Sequence, residues 1–318
     1  MDPLQNVLSL LDTRAYLSSG LVAGGDWAVA FDPPEGVKFN TVRRGRCRLT
    51  VEGEPEAVDL AEGDCFLLTR SRGFRLAGGA PTDPVPAGPL FAAAGTGPAR
   101  AGTGADVDLI GGGFSFGERA RALLLDALPP VLHVPAGTPE AASALWAIGQ
   151  VDAELRQDRL AASLVAEHLA VVMLIQVLRR HLATDPRSTG GWLAGLADPV
   201  VAPALRAVHA RPDHAWTVAE LARTAAVSRS TMAARFREVV GRGPVDYLTG
   251  WRVELAADRL RRDTAPIAVI ARDTGYGSES ALSVAFKRIT GQSPAAYRRT
   301  WRSATASVQR GWTGSTRR

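Results

Sequence analysis

The sequence predicts an α+β chain of more than one domain: a β-barrel or jelly roll with packing helices, then an all-helical module. Three observations predict it. From Leu21 to about Gly113, short apolar runs alternate with Gly, Pro and Asp, the punctuation of a small all-β body. Between residues 228 and 297 one pattern is written twice, and internal repeats outrank other signals. Charge divides the same way. Residues 205–302 hold 17 Arg and Lys against 9 Asp and Glu, a net of +8, whereas residues 1–204 hold 17 and 23, a net of −6. A basic module joined to an acidic one points to nucleic acid for the first and another task for the second.

In chain order, residues 1–20 read as a helix and a turn, with Leu4, Val7, Leu8 and Leu11 on one face. Trp27–Phe31, Lys38–Arg43, Arg46–Val51, Ala57–Leu60 and Cys65–Thr69 are strand candidates. Arg46, Arg48 and Thr50 alternate with Cys47, Leu49 and Val51, as on a half-buried strand. Glu62-Gly63-Asp64 is a turn. Residues 78–104, rich in Pro, Gly and Ala, read as a loop, and Val107–Phe116 as a returning strand. Leu123 to Leu128 suggest a short helix ended by Pro129-Pro130. Pro139 opens a helix to Leu155, and Leu160–Leu182 forms another. That second helix is apolar over much of its circumference, so it needs cover on two sides, from the barrel and from a second subunit. Residues 184–199, with Asp185-Pro186 and Gly190-Gly191, are the linker.

At 46% hydrophobic residues the chain is no disordered protein. Two cysteines, Cys47 and Cys65, make no disulfide framework and read as buried small hydrophobes of a reducing compartment. Met1-Asp2-Pro3-Leu4 lacks the basic start and apolar run expected of a signal peptide, and the run Leu169–Leu178 is too short to span a bilayer. The expected location is cytoplasmic, with no membrane partner. No G-x-S-x-G nucleophile motif occurs, and Gly111-Gly112-Gly113 lacks the Gly-Lys-Ser of a phosphate loop, reading instead as a bulge or loop. No catalytic residue is assigned and no enzyme is expected.

The repeat carries the sharper chemistry. Ser228, Ser230, Phe236, Gly241, Pro244 and Tyr247 recur fifty residues on as Ser278, Ser280, Phe286, Gly291, Pro294 and Tyr297. Ser228 and Ser278 suit helix N-caps, because a serine oxygen accepts from an unpaired amide of the first turn. Met232, Phe236 and Val240, and again Leu282, Phe286 and Ile289, follow at helical spacing. Gly241 and Gly291 suit the left-handed residue after a helix, and the prolines the start of the next. Upstream, Thr217 and Glu220 have capping-box spacing, and Pro266 precedes a short helix bearing Ile267, Ile270 and Ala271. Each copy is therefore a short helix, a tight turn and a second helix. That is a helix-turn-helix, whose second helix enters the DNA major groove.

Gly275 to Ser280, Ala285 to Arg288, Gly291, Ser293-Pro294 and Tyr297-Arg298 resemble the signature of AraC/XylS-type transcription regulators. The resemblance spans about residues 200–302. It implies two helix-turn-helix units joined by a long helix, here Pro244–Arg262, with Tyr247, Leu248, Trp251, Leu255 and Leu260 for packing. The sequence departs at Leu282, where the family has an aromatic, and at Val284, where a basic residue is frequent; the second unit is expected to read DNA less. Gly36–Leu76 is similar to the cupin-like sensor domain of such regulators, through the Glu62-Gly63-Asp64 turn and the strand spacing. The domains expected are a cupin-like sensor and dimerisation domain at 1–183, the linker, the DNA-binding domain at 200–302, and a disordered tail at 303–318.

Cupin enzymes hold metal in a histidine-rich set. His133, His168, His181, His209 and His214 all lie outside the candidate strands, so neither metal nor other cofactor is expected. The rival function, a metal-dependent cupin enzyme with an appended DNA-binding domain, would purify with near-stoichiometric metal. Base-edge candidates are Arg229, Ser230, Thr231, Ala233 and Ala234 in the first unit, and Glu279, Ser280, Ala281 and Ser283 in the second. Arg suits guanine, Glu cytosine and Ala the thymine methyl. Arg237, Arg242, Lys287 and Arg288 suit phosphates. Arg235, Arg237, Arg261 and Arg262 alone would read equally well as a solvated face. In the barrel, Phe39, Asn40 and Arg46 are candidate contacts for a small organic effector. The partners expected are double-stranded DNA, RNA polymerase, that effector and a second copy of the chain.

Overall fold

The computed structural model describes residues 2–10, 14–95, 97–115, 124–156, 160–184 and 190–313, with backbone alone at 14–19, 115, 155–156, 163 and 304–313. The chain forms two compact units, Leu11–Thr189 and the pair of segments Met1–Leu10 and Gly190–Arg318.

The first unit is a sandwich of two open sheets, in place of the closed barrel expected. The strands are β1 Arg14–Gly24, β2 Trp27–Phe31, β3 Val37–Arg44, β4 Arg46–Val51, β5 Val58–Ala61, β6 Cys65–Leu68, β7 Phe74–Gly78, β8 Val85–Pro86, β9 Ala99–Gly102, β10 Val107–Ser115 and β11 Val131–Val134. One sheet runs β11-β6-β3-β10-β1-β9, the other β5-β4-β7-β2-β8. Their facing side chains, among them Trp27, Leu49, Phe66, Leu76 and Leu109, form one buried core. The Pro- and Gly-rich stretch 78–104 holds β8, helix α2 Ala87–Ala94 and β9, where a loop was expected. Phe116 and Leu123 lie outside the described residues.

Gly111-Gly112-Gly113 is neither bulge nor loop. It sits inside β10, in register with Asn40, Phe39 and Lys38 of β3. A Cβ on Gly111 would fall 1.9 Å from Asn40 Oδ1, so the glycine leaves the room that the Asn40 side chain occupies. His133 also joins the larger sheet, on β11 opposite Phe66. Its Nε2 lies 3.0 Å from Asp64 Oδ2. Asp64 also accepts from the amides of Ala61 and Ala136, clamping the Glu62-Gly63 turn to the strand end. Among the described residues, no group of three metal-ligating side chains converges. Helices α3 Pro139–Arg156 and α4 Ala162–Thr184 pack on each other and against β1, β6 and β11.

The second unit is all helix. After α1 Pro3–Leu8 come α5 Gly191–Ala197, α6 Val201–Ala210, α7 Val218–Thr224, α8 Arg229–Val240, α9 Pro244–Arg262, α10 Ile267–Asp273, α11 Glu279–Thr290 and α12 Pro294–Thr313. Two expected boundaries differ. Residues 191–197, expected as linker, form α5, whose Trp192 and Leu193 are buried against α6 and α8. The segment from 303, expected as a disordered tail, continues α12 to Thr313. The N-terminal helix α1 lies in this unit too. Asn6 Nδ2 donates to the carbonyl of His209 at 3.0 Å and Arg262 donates to that of Ser9 at 3.0 Å. Leu4, Val7 and Leu8 are buried.

No described helix is long and apolar enough to cross a membrane.

Candidate nucleic-acid interface

The local chemistry of each helix-turn-helix follows from its caps. Thr217 and Glu220 close a reciprocal capping box on α7. Ser228 accepts from Thr231 N at 3.1 Å, and Ser278 from Ala281 N at 3.1 Å. Gly241 (φ +82°) and Gly291 (φ +76°) end α8 and α11 in the left-handed region. The repeat has two registers. Leu221, Ala222 and the Val227 N–H to Ala222 carbonyl bond match Ile270, Ala271 and the Tyr276 to Ala271 bond at a spacing of forty-nine. From Ser228 and Ser278 onward the spacing is fifty. The extra residue is Gly277, in the second turn.

Helix α9 carries both units. Its first half meets the first unit: Tyr247 packs edge-on against Phe236 at 5.7 Å, and its hydroxyl lies 2.7 Å from His209 Nε2. Its second half, Val253, Ala256, Ala257 and Leu260, shares a core with Ile270, Leu282 and Phe286 of the second unit. There Tyr297 repeats the edge-on contact on Phe286 at 5.3 Å. Arg252, midway, gives its guanidinium to the carbonyls of Pro212, Asp213 and His214 and lies 5.7 Å from the Tyr276 ring. The two units are thus tied through one helix and one arginine.

The candidate base-edge residues divide cleanly from these packing residues. On α8, Met232, Phe236 and Val240 are buried, whereas Arg229, Ser230, Thr231, Ala234 and Arg237 are exposed and Ala233 is half-buried. On α11, Leu282, Ala285 and Phe286 are buried, whereas Glu279, Ser280, Ala281, Lys287 and Arg288 are exposed and Ser283 is half-buried. Ile289, expected in the core, is exposed at 39%; Ala285 takes the inward place. Arg237 and Lys287 occupy equivalent places one turn from each helix end. Arg235 is no loose surface charge: it meets Asp198 and Glu238 at 2.8 and 2.9 Å. Asp198 is buried and accepts from the amides of Val200 and Val201, capping α6. Arg261 and Arg262 are likewise held, by Asp258 at 3.2 and 2.9 Å.

One exposed residue on this face had been read only as a loss. Val284 is 69% exposed and stands fifty residues after Ala234. An isolated apolar side chain between polar neighbours on a recognition helix suits a thymine methyl. Its equivalence to Ala234 was legible in the repeat.

The three effector candidates are not brought together. Asn40 lines a cavity inside the sandwich. Phe39, its neighbour on the strand, points to the opposite face of the sheet, where it stacks on Phe114 at 5.2 Å. Arg46 is exposed on the outer face of β4, in a separate groove with Arg48 and Asp59. Cys47 and Cys65 are free and buried, and burial pushes their thiols up to about 12 and about 11.

A β-sandwich joined to tandem helix-turn-helix units with solvent-facing second helices defines a DNA-binding regulator. The family model "Cupin" matches residues 2–183 and the "Helix-turn-helix domain" model matches residues 221–300. Over 284 residues the chain is 62% identical to an AraC-like transcription regulator of Streptomyces antibioticus, covering 89% of this chain and 94% of that one. It is 61% identical over 284 residues to one of Streptomyces lividans, covering 89% and 93%. The chain belongs to the AraC-like transcription regulators. Among solved structures it is similar to the DNA-binding domain of AdpA in complex with a target DNA, at 33% identity over 34% of this chain and 96% of that one, TM-score 0.32. It is also similar to unsaturated fatty acid bound ToxT from Vibrio cholerae, at 11% identity over 91% and 94%, TM-score 0.37.

Proposed function

We propose that this regulator reads a specific duplex sequence with α8 and α11 and is switched by a small organic effector held in the sandwich. The observation that carries the first part is the paired exposed set on the two second helices. In α8 the base-edge residues are Arg229, Ser230, Thr231, Ala233 and Ala234; in α11 they are Glu279, Ser280, Ala281, Ser283 and Val284. Arg237, Arg242, Lys287 and Arg288 meet phosphates and set affinity more than sequence. The chain acts in the cytoplasm, by binding and not by catalysis, and RNA polymerase is the partner through which bound regulator changes transcription.

A second copy is the other partner. The face of α4 away from the sandwich leaves Leu164 and Val172 exposed at 55% and 37%, and Trp146 of α3 at 58%. Its buried stripe, Ala166, Ala170, Met173 and Val177, is already satisfied. Solvated apolar positions at helical spacing beside a complete buried stripe support a helix-to-helix dimer.

Selection of bound duplexes from a random library by the full chain tests the reading. Enrichment of a bipartite motif with two conserved blocks is expected. Recovery of unenriched sequence at every salt concentration would overturn it.

A further inference from the structure

The sandwich carries an open cavity of about 270 Å³, just below the usual range of ligand sites at roughly 300–1,000 Å³. Its walls are apolar: Leu21, Phe31, Leu76, Phe91 and Leu109. Two polar side chains break that lining. Lys38 and Asn40 are only 8% and 7% exposed. They are two apart on β3 and therefore lie on the same, inward face.

Neither is spent on the protein. Among the described residues, no ion pair or hydrogen bond engages the Lys38 ammonium, and no carboxylate lines the cavity. The Asn40 Nδ2 is buried without a partner. A lone ammonium in an apolar enclosure is costly, and an unmatched amide adds to the cost. Burial accordingly lowers the lysine from 10.5 to about 8. Glycines make the space. Gly113 and Gly111 of β10 stand opposite Lys38 and Asn40, and Gly111, Gly20 and Gly88 line the cavity. A Cβ on Gly20 would meet the Leu109 carbonyl oxygen at 2.8 Å. The sheet is bare where a ligand head would sit, beside two unengaged donors, with aromatic and aliphatic walls beyond.

We propose that this cavity binds a mostly apolar monocarboxylate, its head held by the Lys38 ammonium and the Asn40 side-chain amide. The assignment rests on the effector-control reading above and gives that effector a chemical class. One oxygen accepts from Lys38 and the other from Asn40, so both unmatched donors are satisfied at once. The hydrocarbon part lies among Phe31, Leu76 and Phe91. A neutral ligand would leave the ammonium uncompensated, and a dicarboxylate would bring a second charge with no cation for it in the cavity.

Isothermal titration of the full chain tests this, with octanoate and phenylbutyrate as probes and octanamide and octanol as neutral isosteres. The acids are expected to bind at least tenfold more tightly than the isosteres. Lys38→Met should abolish that preference, Asn40→Leu should weaken acid binding, and Arg46→Ala, outside the cavity, should leave it unchanged. An unchanged far-ultraviolet circular dichroism spectrum and cooperative melt of each variant show that its sandwich is folded. Binding of the isosteres as tightly as the acids would overturn the carboxylate class while leaving effector control standing. Unchanged acid binding by Lys38→Met would overturn the site. Failure of both acids to bind wild-type protein that still binds its operator would overturn the proposal without touching the DNA-binding reading.

Discussion

Ala226 and Gly275 occupy the same place in the two helix-turn-helix turns, each one residue past its helix cap, and both are left-handed, at φ +53° and +83°. Only the glycine suits that conformation. An L-residue there costs roughly 1–2 kcal/mol, part of which a glycine returns through its freer unfolded state. Ala226→Gly is expected to stabilise the protein by about 0.5–1 kcal/mol. Gly275→Ala is expected to destabilise it by more than about 2 kcal/mol, because the new Cβ would also lie 2.6 Å from the Asp213 carbonyl oxygen. Urea unfolding of the two variants checks both signs.

Base and phosphate contacts separate by their salt behaviour. Arg229→Ala should cost about 1–3 kcal/mol on the best operator and relax preference at one base. Arg237→Ala should weaken all duplexes alike and reduce the salt slope by about 0.9. Val284→Ser should lower preference for thymine within the half-site read by α11. Fluorescence-anisotropy titrations over a salt series, on matched and singly substituted duplexes, distinguish the three.

Acid should weaken the helical unit first around α6. Burial lowers His209 from 6.5 to about 4, so the folded state binds its proton later than the unfolded state. Full stability is then present above pH 6.5 and is lost as pH falls towards 4, by about 3 kcal/mol in all. Asp198 acts in the same direction at lower pH. Burial opposes its ionisation, yet the Val201 N–H, Arg235 and the Val200 N–H hold the carboxyl below its usual range. Asp198→Ala should cost about 1–2 kcal/mol as a lost cap. Urea midpoints between pH 7 and 4 for wild type and His209→Gln are the measurement; an unchanged pH slope in the variant would count against the histidine.

Charged substitutions on the solvated face of α4, Leu164→Glu with Val172→Glu, should give folded monomers. Leu169→Glu should also cost stability, because Leu169 is half-buried. Sedimentation at micromolar concentration checks this, and a monomeric wild type would sink the dimer.

The helix-turn-helix units were legible because each turn, cap and stop has its own residue chemistry: Ser228, Gly241 and Pro244 punctuate whatever lies between. The sandwich was legible only in part. β2 to β6 are bounded by Gly and Asp turns, whereas β11 pairs with a strand more than sixty residues earlier and nothing local announces it. The effector set failed on parity. β3 is buried on both faces from Val37 to Val42, so its side chains show no alternation of apolar with polar, and Phe39 was grouped with Asn40 although adjacent strand residues face opposite ways. Nothing local in the sequence marks Lys38, the first residue of its candidate strand, as buried. The Gly190-Gly191 pair, read as a linker, hid the start of α5.

The docking of α1 on α6 has a consequence for biosynthesis. Pro3–Leu8 leaves the ribosome about two hundred residues before the His209 carbonyl that receives Asn6. At roughly 5–20 residues per second, its partner surface is missing for about 10–40 s. During that interval the sandwich can fold from contiguous chain while Leu4, Val7 and Leu8 remain uncovered. The DNA-binding unit therefore closes last, around a segment made much earlier, and a chaperone that shields those three side chains during translation would raise the yield of the finished regulator.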